Sequence, residues 1–289
     1  MSIQSHDPSQ RSNGMLTIAG GIVITDPQPD HRYRGIRRPL PQSGISCYND
    51  AKNAKGEKLV KEECLICKAP LEYLNADEMM ECAICHKKEL SKTRCAEGHY
   101  VCNECHTAGM DTIIGLCLKE TSPNPVSILE NMMDQPFCHI HGPEHHVMVG
   151  SVLLTAYKNA GGDIDLRQAL SEMMRRGKSV PGGACGFWGA CGAGISTGMF
   201  VSIISKSTPL SVEPFALSHL MTAKALEQIG TVGGPRCCKR DSYLSILAAV
   251  DFVKEHFAVV MEKTDVVCRY SSKNNQCIGK RCPFAKVNH

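Results

Sequence analysis

Residues 95–105 read CAEGHYVCNEC, a run in which Cys95-x3-His99 is followed by Cys102-x2-Cys105. Two more pairs of cysteines, each separated by two residues, precede this run: Cys64 with Cys67, and Cys82 with Cys85. Four such pairs supply the eight ligands that two tetrahedral sites need, and zinc prefers tetrahedral sites of thiolate and imidazole. The sequence therefore predicts a zinc-binding module over residues 59–107 that holds two Zn²⁺ ions.

The order of the pairs, with a histidine in the third one, resembles the cross-braced two-zinc modules of the RING-like or treble-clef type. A zinc ion with four protein ligands has no open coordination position, so both ions are expected to be structural. Acidic residues alternate with the lysines of the module, which argues against a surface that follows a phosphate backbone. We expect a folding or docking element and no nucleic-acid partner.

Composition narrows the class of protein further. The chain has 17 cysteines in 289 residues, and its first residues lack the basic segment and apolar core of a signal peptide. These features favour a reducing cytoplasm, metal ligation rather than disulfides, and an anaerobic host. No apolar run reaches the roughly 20 residues that cross a bilayer, so no membrane association is expected. With 32 basic and 29 acidic residues, the charge indicates no particular partner.

Beyond the module, the pattern of apolar residues is helical. We predict an irregular arm over residues 1–58 with one short strand at 22–25, and a helical, cysteine-rich domain over residues 108–289. Apolar spacing and glycine or proline boundaries place helices at 111–120, 126–133, 143–158, 166–176, 193–205, 213–229 and 241–261. The fold class is thus mainly α. The arm and the small-residue helices are compatible with a homodimer.

The segment 138–146, CHIHGPEHH, leads into one of these helices. Pro143 suits the first turn and Glu144 suits the positive end of the helix dipole. The same dipole disfavours protonation of His145 and His146, which leaves neutral imidazoles able to bind a metal or accept protons. Alternatively, these histidines only cap the helix.

Two glycine-rich segments present cysteines to helix starts. In 181–194, PGGACGFWGACGAG, Cys185 and Cys191 lie among glycines that let the backbone approach a bulky prosthetic group, although these glycines could instead serve helix packing. In 233–242, GGPRCCKRDS, Cys237 and Cys238 are flanked by three cations, which are expected to lower the thiol pKa values. Adjacent cysteines do not readily bind one iron, so one would ligate a cluster and the other would serve a second site or stay reactive.

The chain ends with Cys268-x8-Cys277-x4-Cys282-Pro283, and a cysteine followed by proline occurs in iron–sulfur ligand runs. A [4Fe–4S] cluster on three thiolates keeps one iron open to substrate, whereas a cluster on four thiolates carries electrons. The candidate ligands are Cys185, Cys191, Cys237, Cys268, Cys277 and Cys282, and their spacing does not divide them between clusters.

Four motifs carry a resemblance to a known family: HGPEHH at 141–146, GACGFWGACGAG at 183–194, GGPRCCKRD at 233–241 and CIGKRCPF at 277–284. Through them, the chain from Cys64 to Phe284 resembles an uncharacterised cysteine-rich family of anaerobic bacteria and archaea. This resemblance implies no particular activity.

A second, shorter likeness covers residues 234–250, where Pro235-x-Cys237-x3-Arg240 opens an alanine-rich helix. It is similar to the cluster-binding helix start of iron–sulfur serine dehydratases and cysteine desulfidases. The likeness implies that Cys237 is a cluster ligand, that loop 183–194 contacts substrate, and that an open iron acts as a Lewis acid.

Three hypotheses follow. The first is a lyase or sulfur-transfer enzyme that acts on a small molecule with a [4Fe–4S] cluster, with His145, His146 and Cys238 as catalytic candidates. The second is a redox or metallocluster- and sulfur-handling accessory protein for a partner enzyme. The third is a zinc-based protein-interaction module, which leaves the later cysteines unexplained.

Overall fold

A computed structural model describes residues 64–67, 69–106 and 108–285. The predicted arm, including the strand expected at 22–25, lies outside the described residues, as do the first residues of the predicted module. The described residues form a small β-hairpin module followed by a helical domain. The prediction of a mainly α fold with a metal-binding module is confirmed.

The module is built on one antiparallel hairpin. Strand β1 (Leu71–Glu81) pairs with β2 (Lys88–Cys95), and the pairing runs from Leu71 opposite Cys95 to Glu81 opposite Lys88. A one-turn helix, α1 (Asn103–His106), follows the hairpin. The module's own buried core is small and consists of Met80, Cys82, Tyr100 and Cys102. A core of this size contributes little folding free energy, so bound metal is the natural source of stability.

The helical domain contains the seven predicted helices. They are α2 (Thr112–Cys117), α3 (Pro125–Met133), α4 (Glu144–Asn159), α5 (Leu166–Lys178), α7 (Gly192–Ile204), α8 (Glu213–Val232) and α9 (Cys238–Phe257). One further short helix, α6 (Ala184–Phe187), lies inside the glycine-rich loop. After α9 the chain continues as coil with two 3₁₀ turns, Ser271–Lys273 and Gly279–Arg281.

Most predicted helix boundaries differ from the structure by one to four residues, and two of these differences are informative. Helix α5 was expected to end at Gly177, but it continues to Lys178. A Cβ atom on Gly177 would lie 2.6 Å from Val147 Cγ2, so this glycine allows α4 and α5 to pack closely and does not stop the helix. Helix α9 begins three residues earlier than predicted, because Cys237 caps it by accepting a hydrogen bond from the amide of Arg240.

Helix α4 is the centre of the domain. Its residues from Glu144 to Tyr157 are all buried, and α3, α5, α7 and α9 pack around it. The predicted close packing of the small-residue helix is also present: a Cβ on Gly198 of α7 would lie 1.8 Å from Thr222 Oγ1 of α8. In the described part of the chain, no helix combines the length and apolar character that a membrane crossing requires.

Candidate metal centres

The four predicted ligand pairs of the module combine into two groups. Cys64, Cys67, Cys95 and His99 form one group, and Cys82, Cys85, Cys102 and Cys105 form the other. Within each group all ligand atoms lie within 4.8 Å of one another, so either group could hold a metal ion. The first pair therefore joins the third and the second joins the fourth, which is a cross-braced arrangement.

Local backbone geometry presents these thiols for binding. The amide of Ile66 donates to Cys64 Sγ at 3.3 Å, and the amide of Ile84 donates to Cys82 Sγ at 3.5 Å. Burial of Cys82 opposes ionisation, but the amides of Cys85, Cys102 and Ile84 outweigh it and lower the pKa of this thiol to about 6. Metals bind the thiolate form, so the low pKa favours Cys82 as a ligand, whereas the pKa values of Cys102 and Cys105 in the same group are raised.

A cavity of about 1170 Å³ lies between the module and the helical domain. Residues of the hairpin form part of its wall, and Tyr73 of β1 meets Phe187 of α6 edge-on with ring centroids 6.1 Å apart. All three predicted catalytic residues line this cavity, and so do two of the predicted cluster ligands: His145, His146, Cys238, Cys185 and Cys191.

His145 and His146 are both buried and both bonded to backbone carbonyls. His145 Nδ1 lies 3.1 Å from the oxygen of Gly142, and His146 Nδ1 lies 3.1 Å from that of Val180. A carbonyl only accepts, so Nδ1 carries the proton and Nε2 keeps its lone pair. Both pKa values are lowered, to about 3 for His145. The neutral state was predicted from the helix dipole, but burial is the main cause.

The remaining predicted cluster ligands surround a second, smaller cavity. It is lined by Cys237 at the start of α9 and by three cysteines of the C-terminal coil, Cys268, Cys277 and Cys282. Amides of Tyr270 and Gly279 donate to Cys268 and Cys277, each at 3.4 Å. The structure thus divides the candidate ligands into a set of four at this cavity and the pair Cys185 and Cys191, with Cys238, at the large one.

The expectation of low thiol pKa values at the helix starts is wrong. Burial raises the pKa of Cys237 to about 11 and that of Cys238 well above its ordinary value, although the cations Arg240 and Arg236 oppose these shifts. Cys191 does lie at the N-terminus of α7, as predicted, but burial and Asp241 raise its pKa to about 12. Desolvation of a thiolate outweighs nearby cations here.

The sequence indicated a metal-binding role for His145 but not for Glu144 or His106, which the structure brings into one cluster. His106 and His139 form one potential metal-binding group with Glu144, and Cys138 and His145 form another. The two groups share only Glu144, which had been interpreted as a partner of the helix dipole. The sequence did contain a signal for this cluster, because His106 directly follows the last cysteine of the module and histidine is a common metal ligand.

The carboxylate oxygen Oε2 of Glu144 has no hydrogen-bond partner among the described residues. A buried polar atom without a partner costs about 1–3 kcal/mol. Burial opposes ionisation of Glu144, yet the nearby imidazoles of His139 and His145 lower its pKa to about 2.

Fold and sites together define a mainly helical, cysteine-rich protein whose cysteine clusters could hold metal ions. The chain belongs to the family described as Family of unknown function (DUF5714), which matches residues 113–285. The expectation of a family of unknown function is confirmed over that range, whereas its extension to Cys64 and its anaerobic hosts stay predictions. Both ligand groups of the module precede the matched range. No curated protein and no solved structure matched the chain, so no named relative supports the likeness to serine dehydratases.

Proposed function

We propose that Cys237, Cys268, Cys277 and Cys282 bind a [4Fe–4S] cluster and that the protein transfers electrons to a small molecule bound in the large cavity. The observation that carries this proposal is the convergence of four free thiols, from two distant parts of the chain, on one small cavity. Four thiolates complete the ligand set of an electron-carrying cluster.

The described thiols at this cavity are not gathered closely enough to hold a single ion. They are not among the groups of described residues whose ligand atoms all lie within 4.8 Å, whereas both groups of the module are. The cavity between them has a volume of about 20 Å³, so a cluster would have to widen it. Three of the four thiols are on coil, which can move outward more easily than a packed helix.

Hydrogen bonds to the thiols match the environment of a cluster. Cys237 Sγ accepts from the amide of Arg240 at 3.5 Å and from Asn274 Nδ2 at 3.3 Å. N–H donors to cluster sulfurs stabilise the added negative charge of the reduced state and help to set the reduction potential. Asn274 Oδ1 also lies 3.1 Å from Nε2 of His141, which lines the large cavity. The smaller cavity, lined by Cys237, and the large cavity are thereby linked through the buried side chain of Asn274.

The electron balance requires an external donor. A partner redox protein would reduce [4Fe–4S]²⁺ to [4Fe–4S]⁺, and the cluster would return to its oxidised state when it passes the electron to the molecule in the cavity. We assign structural Zn²⁺ to the two groups of the module, because Cys₃His and Cys₄ are closed zinc ligand sets. The module would then serve folding and the docking of such a partner.

Purification without oxygen tests the cluster directly. We expect four irons and four acid-labile sulfides per chain, with two zinc ions, and a [4Fe–4S]⁺ signal in electron paramagnetic resonance after reduction. Zinc without iron or sulfide would refute the proposal.

A lyase or sulfur-transfer reaction is the second candidate. Three cysteines line the large cavity: Cys185, Cys191 and Cys238. Negative charge on Cys185 raises the pKa of Cys191, and negative charge on Cys191 raises the pKa of Cys238, so Cys191 lies near both. Three thiolates would hold a second cluster with one open iron facing substrate. Mössbauer spectra separate the two candidates: eight irons, one of them sensitive to added thiol or hydroxy amino acids, would favour the lyase, and four irons would favour electron transfer alone.

A further inference from the structure

The carboxylate of Glu144 lies at the first residue of α4 and is fully buried. Two histidines from different parts of the chain face it. His106 Nδ1, at the end of α1, lies 3.9 Å from Glu144 Oε2, and His139 Nδ1, in the loop before α4, lies 3.5 Å from Glu144 Oε1. The two imidazole rings meet edge-on, with centroids 4.9 Å apart.

Each of these three side chains has a buried polar atom without a hydrogen-bond partner among the described residues: His106 Nδ1, His139 Nδ1 and Glu144 Oε2. Buried polar atoms are rarely left without a partner, and three of them in one place indicate a binding site. We propose that His106, His139 and Glu144 bind one divalent first-row transition metal ion, at a site separate from the thiol clusters.

The charge of the site supports a cation. All ion-pair partners of Glu144 in the described part of the chain are histidines: His106, His139 and His145. A buried carboxylate needs a compensating positive charge, and a metal ion supplies it while using both imidazole lone pairs. The amide of His139 donates to Glu144 Oε1 at 2.8 Å, which holds the carboxylate in place and leaves Oε2 as the ligand atom.

The other potential group at Glu144, with Cys138 and His145, is less suited to an ion. Lys239, itself buried, places its Nζ 2.9 Å from Cys138 Sγ, where it would repel a second cation. The ion therefore belongs on the side of His106 and His139.

The proposed site has open coordination positions. Three protein ligands leave room for further ligands, and His106 and His139 both line the large cavity. Two imidazoles and one carboxylate suit Fe²⁺, Mn²⁺ or Zn²⁺ in sites that bind water or substrate. His106 directly follows Cys105, so the module must be folded for this ligand to reach Glu144.

Mn²⁺ is the probe that distinguishes this site from the thiol clusters, because it prefers oxygen and nitrogen ligands to thiolates. The full chain, purified without oxygen and freed of loosely bound metal with a weak chelator, is titrated with Mn²⁺. Loss of the free-ion signal in electron paramagnetic resonance measures binding. We expect one Mn²⁺ per chain.

Glu144→Gln and His139→Gln should each weaken this binding more than about tenfold. His219→Gln, which changes an exposed histidine of α8, should bind Mn²⁺ like the unaltered protein. Unchanged zinc and iron contents and an unchanged helical circular dichroism spectrum show that a variant has folded. His139 lies in a loop, so its variant provides the test if Glu144→Gln does not fold.

No Mn²⁺ binding by the unaltered protein, or equal binding by a folded variant, would overturn the proposal. Failure of the iron–sulfur proposal would leave this result unaffected, since the readout involves no thiolate.

Discussion

Cys237 and Cys238 are consecutive residues whose side chains line two different cavities. Cys237 caps α9 with an extended backbone, φ −149° and ψ 99°, whereas Cys238 is the first residue of the helix. The change from extended to helical backbone between them turns the two thiols apart. One residue can therefore line the small cavity with three other cysteines while its neighbour faces a space large enough for a small molecule.

Substitution of Cys237 and substitution of Cys238 should have different effects on the iron and sulfide content. Cys237→Ser is expected to remove most iron and sulfide, because it deletes one of the four proposed ligands. Cys238→Ser should keep the four-thiol cluster, with four irons per chain, and change only reactions in the large cavity. Iron and sulfide analysis after purification without oxygen is the measurement. Full cluster content in Cys237→Ser would contradict the ligand assignment, and loss of half of an eight-iron content in Cys238→Ser would indicate the second cluster.

The side chain of Asn274 should tune the proposed cluster. It is buried and donates to Cys237 Sγ, so Asn274→Ala removes a donor that stabilises the reduced state. We expect a lower reduction potential at unchanged iron content, measured by a redox titration followed with electron paramagnetic resonance. Asn275→Ala, which changes the exposed neighbour, is the matched control. Equal potentials for the two variants would show that the bond to Cys237 has no electrostatic role.

The module should depend on its metal ions, and the helical domain should not. Cys95→Ser removes a buried ligand of the first group and is expected to release one zinc per chain. Amides of β1 and β2 should then exchange hydrogen faster while those of α3 to α9 stay protected, because the module's own core is small. Hydrogen exchange followed by mass spectrometry resolves the two regions.

Cys117→Ala is the control for that experiment. Cys117 is a buried cysteine of the helical core whose pKa burial raises to about 11, and it belongs to neither ligand group. The variant should keep both zinc ions. Retention of all zinc by Cys95→Ser would refute the first site.

Two glycines of the α7–α8 pair should respond in opposite directions to alanine. A Cβ at Gly198 would meet both Thr222 Oγ1 and the backbone oxygen of Ser218, so Gly198→Ala is expected to destabilise the fold by about 1–3 kcal/mol. Gly230, near the exposed end of α8, has no atom within 4 Å of the added Cβ, so Gly230→Ala should stabilise by up to about 1 kcal/mol. Urea unfolding of the helical signal measures both. Equal stabilities would mean that α7 and α8 pack less closely than described.

The site was less predictable than the fold. Periodicity located the seven longer helices within a few residues, since one buried face repeats in the local pattern. Gly177 misled the prediction because a glycine that ends a helix and one that admits a neighbouring helix look alike in sequence. The thiol pKa values at Cys237 and Cys238 were predicted in the wrong direction because charge is visible in a sequence and burial is not.

The sequence by itself determined the close ligand pairs of the module, because two or three intervening residues bring two ligands to one point whatever the rest of the chain does. It likewise determined the helices and the cysteines at their starts. Only the tertiary structure decided which cysteines meet: Cys237 joins residues 268–282, Cys238 joins the loop around Cys185, and His106 reaches Glu144. These contacts depend on how α4 and α9 pack in the core and on where the C-terminal coil returns, and no local pattern encodes that geometry.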